Sequence, residues 1–294
     1  MKKMKKYLII NADDFGYCPE QNEAIKELLS KKLITSTSVL AVAPAFDDAA
    51  RWLKENKFSA GVHLTINSDS YEKPWKSITG SSHLGKKGAL YQNSKDITLH
   101  ATHKSVRAEI EAQYNKMNEA GIEVDHADNH CGTLYGINLR RFYNDAYDFC
   151  RVHNLPYRFP KTPGFIERQL GKAPPSVILK LHKMLVNKAA VNGVRLIDDL
   201  ISNPWNTEQI GNFENLRKWY LDSLDNCADG VTEMFLHPAL PLDEENTEWT
   251  KRVFEYELLK SGDLIQKAED MGLTVITWKE AAKLLIQKDN SNPN

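Results

Sequence analysis

Short apolar, β-branched runs alternate with longer amphipathic stretches along nearly all of the 294 residues, and this rhythm restricts the fold more than any other feature. Strand and helix in repeated succession build a parallel sheet with helical crossovers, not an all-α or all-β domain. The candidate strands are Tyr7–Asn11, Ser36–Val42, Ala60–Ile66, Glu123–Ala127, Pro156–Phe159, Val194–Ile197, Thr232–Leu236 and Leu273–Ile276. Helical candidates between them are Pro19–Lys32, Phe46–Asn56, Lys104–Ala120, Asn138–His153, Val177–Asn192, Asn206–Asn226, Thr250–Met271 and Lys279–Gln287. In the first of these, Ala24, Ile25, Leu28 and Leu29 recur at helical spacing and form one apolar face. Gly121 and Gly272 each follow a helical stretch and read as left-handed caps handing the chain to a strand.

Seven or eight such units, with no repeat or low-complexity boundary, predict an α/β fold: a closed or nearly closed (β/α) barrel, distorted, with an open doubly wound sheet as the alternative. One domain over 1–288 is expected, followed by a flexible tail at 289–294. The segments 67–103 and 159–176 are rich in Gly, Ser, Pro and Lys and read as long loops over a functional face. Neither GxGxxG nor a P-loop occurs, so no nucleotide fingerprint supports the open sheet.

The charge balance narrows the partners. Thirty-eight basic residues against 39 acidic ones leave −1, which argues against nucleic acid or an anionic membrane as a partner. Leu33–Phe46, the longest stretch without a charge, has 14 residues and is too short to span a bilayer. Four lysines precede Tyr7, but the apolar stretch behind them ends at Asn11, too soon for a signal sequence, and a cytoplasmic location is expected. Cys18, Cys131, Cys150 and Cys227 form no CxxC pair and read as free thiols.

Chemistry concentrates where the strands end. Asn11-Ala12-Asp13-Asp14-Phe15-Gly16 follows directly on Tyr7–Ile10. Adjacent carboxylates at a strand end face different directions, so one can ligate a metal while the other handles a proton; the plainer role is capping the next helix. His63 lies in Gly61-Val62-His63-Leu64-Thr65, near the end of the third strand. In Val124–His130, alternation puts His126, Asp128 and His130 on one face if the strand runs that far. Arg158, in Leu155–Pro160, and His237, in Glu233–Ala239, complete five such positions. Two histidines and a carboxylate would make a three-ligand metal site with open positions for water and substrate.

These segments, NADDFG, TSTSVL, GVHLT, DHADNH and EMFLHPA, resemble the YdjC-like carbohydrate deacetylases, and they occur here in family order. The resemblance implies a distorted βα barrel related to polysaccharide deacetylases, which removes the N-acetyl group of an amino sugar or chito-oligosaccharide with one divalent metal. It implies Asp14, His63 and His130 as metal ligands, Asp13 as general base and His237 as general acid. Magnesium is the usual family assignment, whereas a two-histidine, one-carboxylate set suits Zn²⁺, Mn²⁺, Co²⁺ or Fe²⁺ at least as well. Relatives continue the second motif with further histidines; here His130 is followed by Cys131-Gly132-Thr133, which changes the neighbouring pocket wall.

Within that scheme Arg158 would orient Asp13, and Asp128 would accept the second ring N–H of a ligand histidine. Tyr71, Trp75, Tyr91 and Trp205 are the aromatic candidates for stacking on a small-molecule or oligosaccharide substrate. The competing readings are a metal-dependent phosphoesterase or other barrel metallohydrolase, and a non-catalytic sugar-binding protein; of protein partners, a second copy in a homodimer is the candidate.

Overall fold

The computed structural model describes residues 5–70, 73–136, 140–243, 246–247 and 249–291. Its centre is a curled sheet of seven parallel strands among the described residues, with helices packed outside. β1 (Lys6–Phe15) is followed by α1 (Pro19–Ser30), β2 (Ser36–Val39), α2 (Phe46–Asn56) and β3 (Ala60–Leu64). The segment expected as a long loop instead contains a two-stranded hairpin, β4 (Gly85–Lys86) and β5 (Ala89–Leu90), and a short helix, α3 (Ser94–His100). Buried Glu109 pins it, accepting bonds from the Ser77 and Thr79 hydroxyls and from the Ile78 and Thr79 amides. Glu109 lies on α4 (His103–Glu119), which leads to β6 (Val124–Asn129).

After α5 (Tyr143–His153), the expected loop at 159–176 contains another helix, α6 (Gly164–Leu170), before α7 (Ser176–Val191). β7 (Asp199–Ile201) begins later than the expected Val194–Ile197. The chain then runs through α8 (Thr207–Ile210), α9 (Phe213–Leu224), β8 (Gly230–Leu236), α10 (Thr250–Ser261), α11 (Asp263–Asp270), β9 (Thr274–Val275) and α12 (Trp278–Ser291). Two expected single helices are thus each broken in two. The breaks fall at Gly211 and Gly262, whose φ angles of +72° and +79° a continuous helix does not allow. α12 continues through the first three residues of the expected tail.

The strand order is β6-β3-β2-β1-β8-β7. β1 is the axis of the sheet, paired with β8 from Lys6 to Ala12, while its other edge serves β9 at Tyr7–Leu8 and β2 from Asn11 onward. Single parallel bridges from Ala127 to Tyr157 and from Tyr157 to Leu196 tie β6 back toward β7 and close the curl. Pro156 and Pro160 lack amide donors, which reduces the expected strand at 156–159 to these two bridges at Tyr157. The barrel expectation holds, in distorted form.

Alternation sorts β1 into two faces. Leu8, Ile10 and Ala12 join the large outer core against the helices, while Ile9 joins a small inner cluster with Leu200, Val231 and Trp278. Above that apolar floor the inner positions turn polar: Glu233, His126, Asn11, Asp128 and Arg158 are all buried. No helix among the described residues is long and apolar enough to cross a membrane.

Candidate active site

The site forms at the C-terminal end of β1. Strand alternation places Asn11 and Asp13 on the inner face and would turn Asp14 away. Asp14, however, has φ +68°, and the β1–β2 register slips between Ala12 and Phe15. The kink returns the Asp14 carboxylate to the interior, so both acids line one cavity rather than facing different directions. Asp tolerates this left-handed conformation better than most residues. Gln21 holds the turn by donating to the Asp13 carbonyl at 2.9 Å, as does Tyr17 N–H to the Asp14 carbonyl at 3.0 Å.

Three possible ligand atoms meet at this turn. Asp14 Oδ1 lies 3.3 Å from His63 Nε2 and 3.3 Å from His130 Nδ1, and the two ring nitrogens are 3.3 Å apart. Donors bound at about 2.0–2.1 Å to one ion, at angles between octahedral and tetrahedral, stand about 3.0–3.4 Å from one another. The triangle has that size. Asp14 Oδ1 is buried without a well-formed hydrogen bond, as a ligand oxygen should be. His63 comes from β3. His130 comes not from β6, which stops at Asn129, but from the short 3₁₀ turn that follows it.

A second layer fixes these groups. His63 Nδ1 donates to Asp128 at 2.7 Å, which leaves Nε2 with its lone pair turned inward. Arg252 donates to Asp14 Oδ2 at 3.1 Å and to Gln21 at 2.9 Å, while Asp69 stands 3.4 Å from His130 Nε2. Asp69 and Arg252 escape a sequence reading: one lies in an irregular segment and the other on a helix, so neither carries a strand-end signal.

Asp13 is gripped by Arg158, whose Nη1 and Nη2 reach its two oxygens at 2.6 and 2.8 Å. The same guanidinium donates to Glu233 and lies 2.8 Å from Asp128. Asn11 adds a bond to Asp13 at 2.8 Å, and Trp278 donates to Glu233 at 3.1 Å. His237 Nε2 faces Asp13 across 3.9 Å, with its backbone N–H donating to buried Glu255 at 2.7 Å.

Charge is unbalanced in one direction. Asp13, Asp14, Asp128 and Glu233 are four buried carboxylates, against the guanidiniums of Arg158 and Arg252. Burial pushes the Asp14 carboxyl up, but contacts with His130 and His63 outweigh it and hold it well below the usual range. Burial alone would lower His63, yet the charge and hydrogen bond of Asp128 raise it to about 10. Protons on the imidazoles and a cation in the triangle are thus alternative ways to neutralise the same acids, and a divalent ion fits the excess. Burial also raises Glu233 and lowers His237, the latter against the pull of Asp14 and Asp13.

Known proteins resemble this chain along most of its length. The YdjC-like protein family matches residues 7–270. The chain belongs to the YdjC-like family. A carbohydrate deacetylase of Geobacillus stearothermophilus is 23% identical over 286 residues, covering 96% of this chain and 100% of that one. A chitooligosaccharide deacetylase of Proteus mirabilis is 27% identical over 285 residues, covering 94% and 99%. A crystal structure from Enterococcus faecalis, described as a cellobiose-phosphate cleavage protein, shares the fold at a TM-score of 0.72 and 24% identity, covering 94% of this chain and 98% of that one.

The cavity of this YdjC-like chain has a volume of about 630 Å³ and includes Asp13, Asp14, His63, His130, Arg158 and His237 among its lining residues. The aromatic candidates fare differently. Tyr71 lies outside the described residues. Trp75, Tyr91 and Trp205 do not line the cavity. Trp75 packs on the His130 ring at 5.3 Å from within the protein, Tyr91 stacks on His100, and Trp205 packs against Trp219. The aromatic rings that do line the cavity include Tyr135, Phe159, Phe165 and Phe235.

Proposed function

We propose that this YdjC-like protein is a divalent-metal-dependent deacetylase that hydrolyses the N-acetyl group of an amino sugar or chito-oligosaccharide to acetate and a free amine. The observation that carries the reading is the Asp14–His63–His130 triangle with Asp13 beside it and His237 3.9 Å beyond. The names of the relatives supply the substrate class. A divalent ion held by Asp14, His63 and His130 would supply Lewis acidity for the acetyl carbonyl and the attacking water.

The remaining work falls to side chains. Asp13 takes the proton of the attacking water, and the two-pronged grip of Arg158 aims its carboxylate. His237 hands a proton to the departing amine. Its lowered affinity for that proton makes the imidazolium a stronger acid. Arg252 ties back one Asp14 oxygen and leaves the other free for the ion.

Imidazole donors favour Zn²⁺, Mn²⁺ or Co²⁺, whereas the family resemblance favours Mg²⁺. A two-metal phosphoesterase needs a second set of ligands. The other groupings among the described residues, Asp69–His130–Cys131 and Asp13–His63–Asp128, reuse the histidines of the first. The test is acetate release from N-acetylglucosamine, chito-oligomers and O-acetyl sugars after the metal is stripped and each ion restored. Release from N-acetyl substrates on restoration supports the reading, and none with any ion overturns it in favour of a sugar-binding protein.

A further inference from the structure

We propose that the substrate of this site carries, besides its scissile amide, an apolar group several carbons long, received by the wall that α6 and α7 add to the cavity. The inference rests on the amide-hydrolase reading and narrows its substrate class. Beside Arg158 and Phe235, the cavity lining includes the apolar side chains of Phe159, Phe165, Ile178, Leu181 and Leu200, which together form its apolar arm. A pocket for bare sugar offers polar groups to the hydroxyls. Here the polar side chains direct their donors into the protein: Gln169 to the Ser202 carbonyl at 2.8 Å, His182 to the Pro160 carbonyl at 2.9 Å, and the Tyr135 hydroxyl to the Arg158 carbonyl at 2.7 Å.

Aromatic packing sets the wall in place. Phe159 stacks on His182 at 5.5 Å between ring centres, and Phe165 stands 6.4 Å from Phe235. What they present to the cavity is carbon. Leu181, 47% exposed, marks an open mouth, so a chain can run outward rather than end in a closed pocket. The Phe235 ring also lies 5.8 Å from His237, the group assigned to the leaving amine. This places the arm on the side of the amine-bearing sugar, where an alkyl or aryl aglycone fits; a longer N-acyl chain is the other source of the same chemistry.

Calorimetry on the metal-loaded Asp13→Asn variant, in which turnover is suppressed, separates the two sources. The ligands are the methyl and hexyl β-glycosides of N-acetylglucosamine and the methyl glycoside of N-hexanoylglucosamine. Each methylene moved out of water is worth about fourfold in affinity. The hexyl glycoside therefore binds at least about tenfold tighter than the methyl glycoside; a matching gain confined to the N-hexanoyl compound keeps the arm and moves it to the acyl side. Leu181→Ser and Ile178→Ser, at incompletely buried positions, each reduce the gain. Equal affinities for all three ligands, or a gain untouched by both substitutions, overturn the inference. A persisting gain with no acid released from any compound by the metal-loaded wild-type protein overturns the hydrolase reading and leaves the arm standing.

Discussion

Arg158 and Asp13 form a two-pronged ion pair, Nη1 to Oδ2 at 2.6 Å and Nη2 to Oδ1 at 2.8 Å, with both side chains almost wholly buried. Lysine at 158 would keep the charge but cannot reproduce a planar fork shared by three carboxylates. Arg158→Lys is therefore expected to lower kcat by about 10–100-fold with little change in KM, since it misaims Asp13 without touching the triangle. Arg158→Met strands buried acids and should cost about 3–5 kcal/mol of stability. Steady-state kinetics and denaturant melts on the two variants check both, and wild-type turnover in the lysine variant would remove Arg158 from the mechanism.

Asp13→Asn and His237→Ala divide proton transfer from metal binding. Each is expected to keep the metal stoichiometry while kcat falls by about 10²–10⁴-fold. Metal content by elemental analysis, measured beside turnover, decides the matter. Loss of metal together with activity would reassign the residue to the ligand set.

Asp128 touches the chemistry through His63, to which it is bound at 2.7 Å, and through Arg158, 2.8 Å away. Partners of this kind typically hold about 10–100-fold in metal affinity. Chelator competition on Asp128→Ala should show a loss of that order, whereas Asp128→Asn, still able to accept the ring N–H, should lose less. Equal losses would mean that charge, not orientation, is what Asp128 contributes.

Much of this centre is legible because strand ends announce themselves. Asp13, Asp14, His63, Arg158 and His237 each terminate or follow a β-branched or apolar run, and parallel strands bring their ends to one face. What escapes is whatever depends on a local break of the period. Asp14 reaches the cavity only through its left-handed turn, and a strand pattern cannot foretell that φ. Asp69 and Arg252 arrive from an irregular segment and a helix. The aromatic candidates Trp75 and Tyr91 lie away from the cavity for a similar reason: they sit in a polar, glycine-rich stretch that nonetheless folds into a packed hairpin, and their rings pack within the protein. The cavity wall comes partly from α6, in a stretch whose prolines and glycines read as a loop.

Chelation gives a prediction free of any substrate. A ligand that binds only the folded state at about one hundred times its Kd adds about 2.7 kcal/mol. Stripping the metal should lower Tm by several degrees, and restoring it should reverse the change. A His63→Ala variant should show no such response, whereas an unchanged metal-dependent shift in that variant would place the ion elsewhere.

Gly61 lies two residues before His63, and the reason for glycine there is steric. A Cβ at this position would fall 2.2 Å from His126 Nε2. The His126 ring cannot give way easily, since it stacks on Trp278 at 4.4 Å between centres and bonds to Asp125 at 2.6 Å. Gly61→Ala should therefore overpack the barrel interior and cost about 1–3 kcal/mol. Because β3 must shift to relieve the clash, His63 Nε2 moves with it, and metal affinity should fall alongside stability. A second substitution, His126→Ala, opens the space and should restore metal affinity in the Gly61→Ala background. Calorimetric melts and chelator competition on the single and double variants measure the coupling; independent, additive effects would show that the two side chains do not meet.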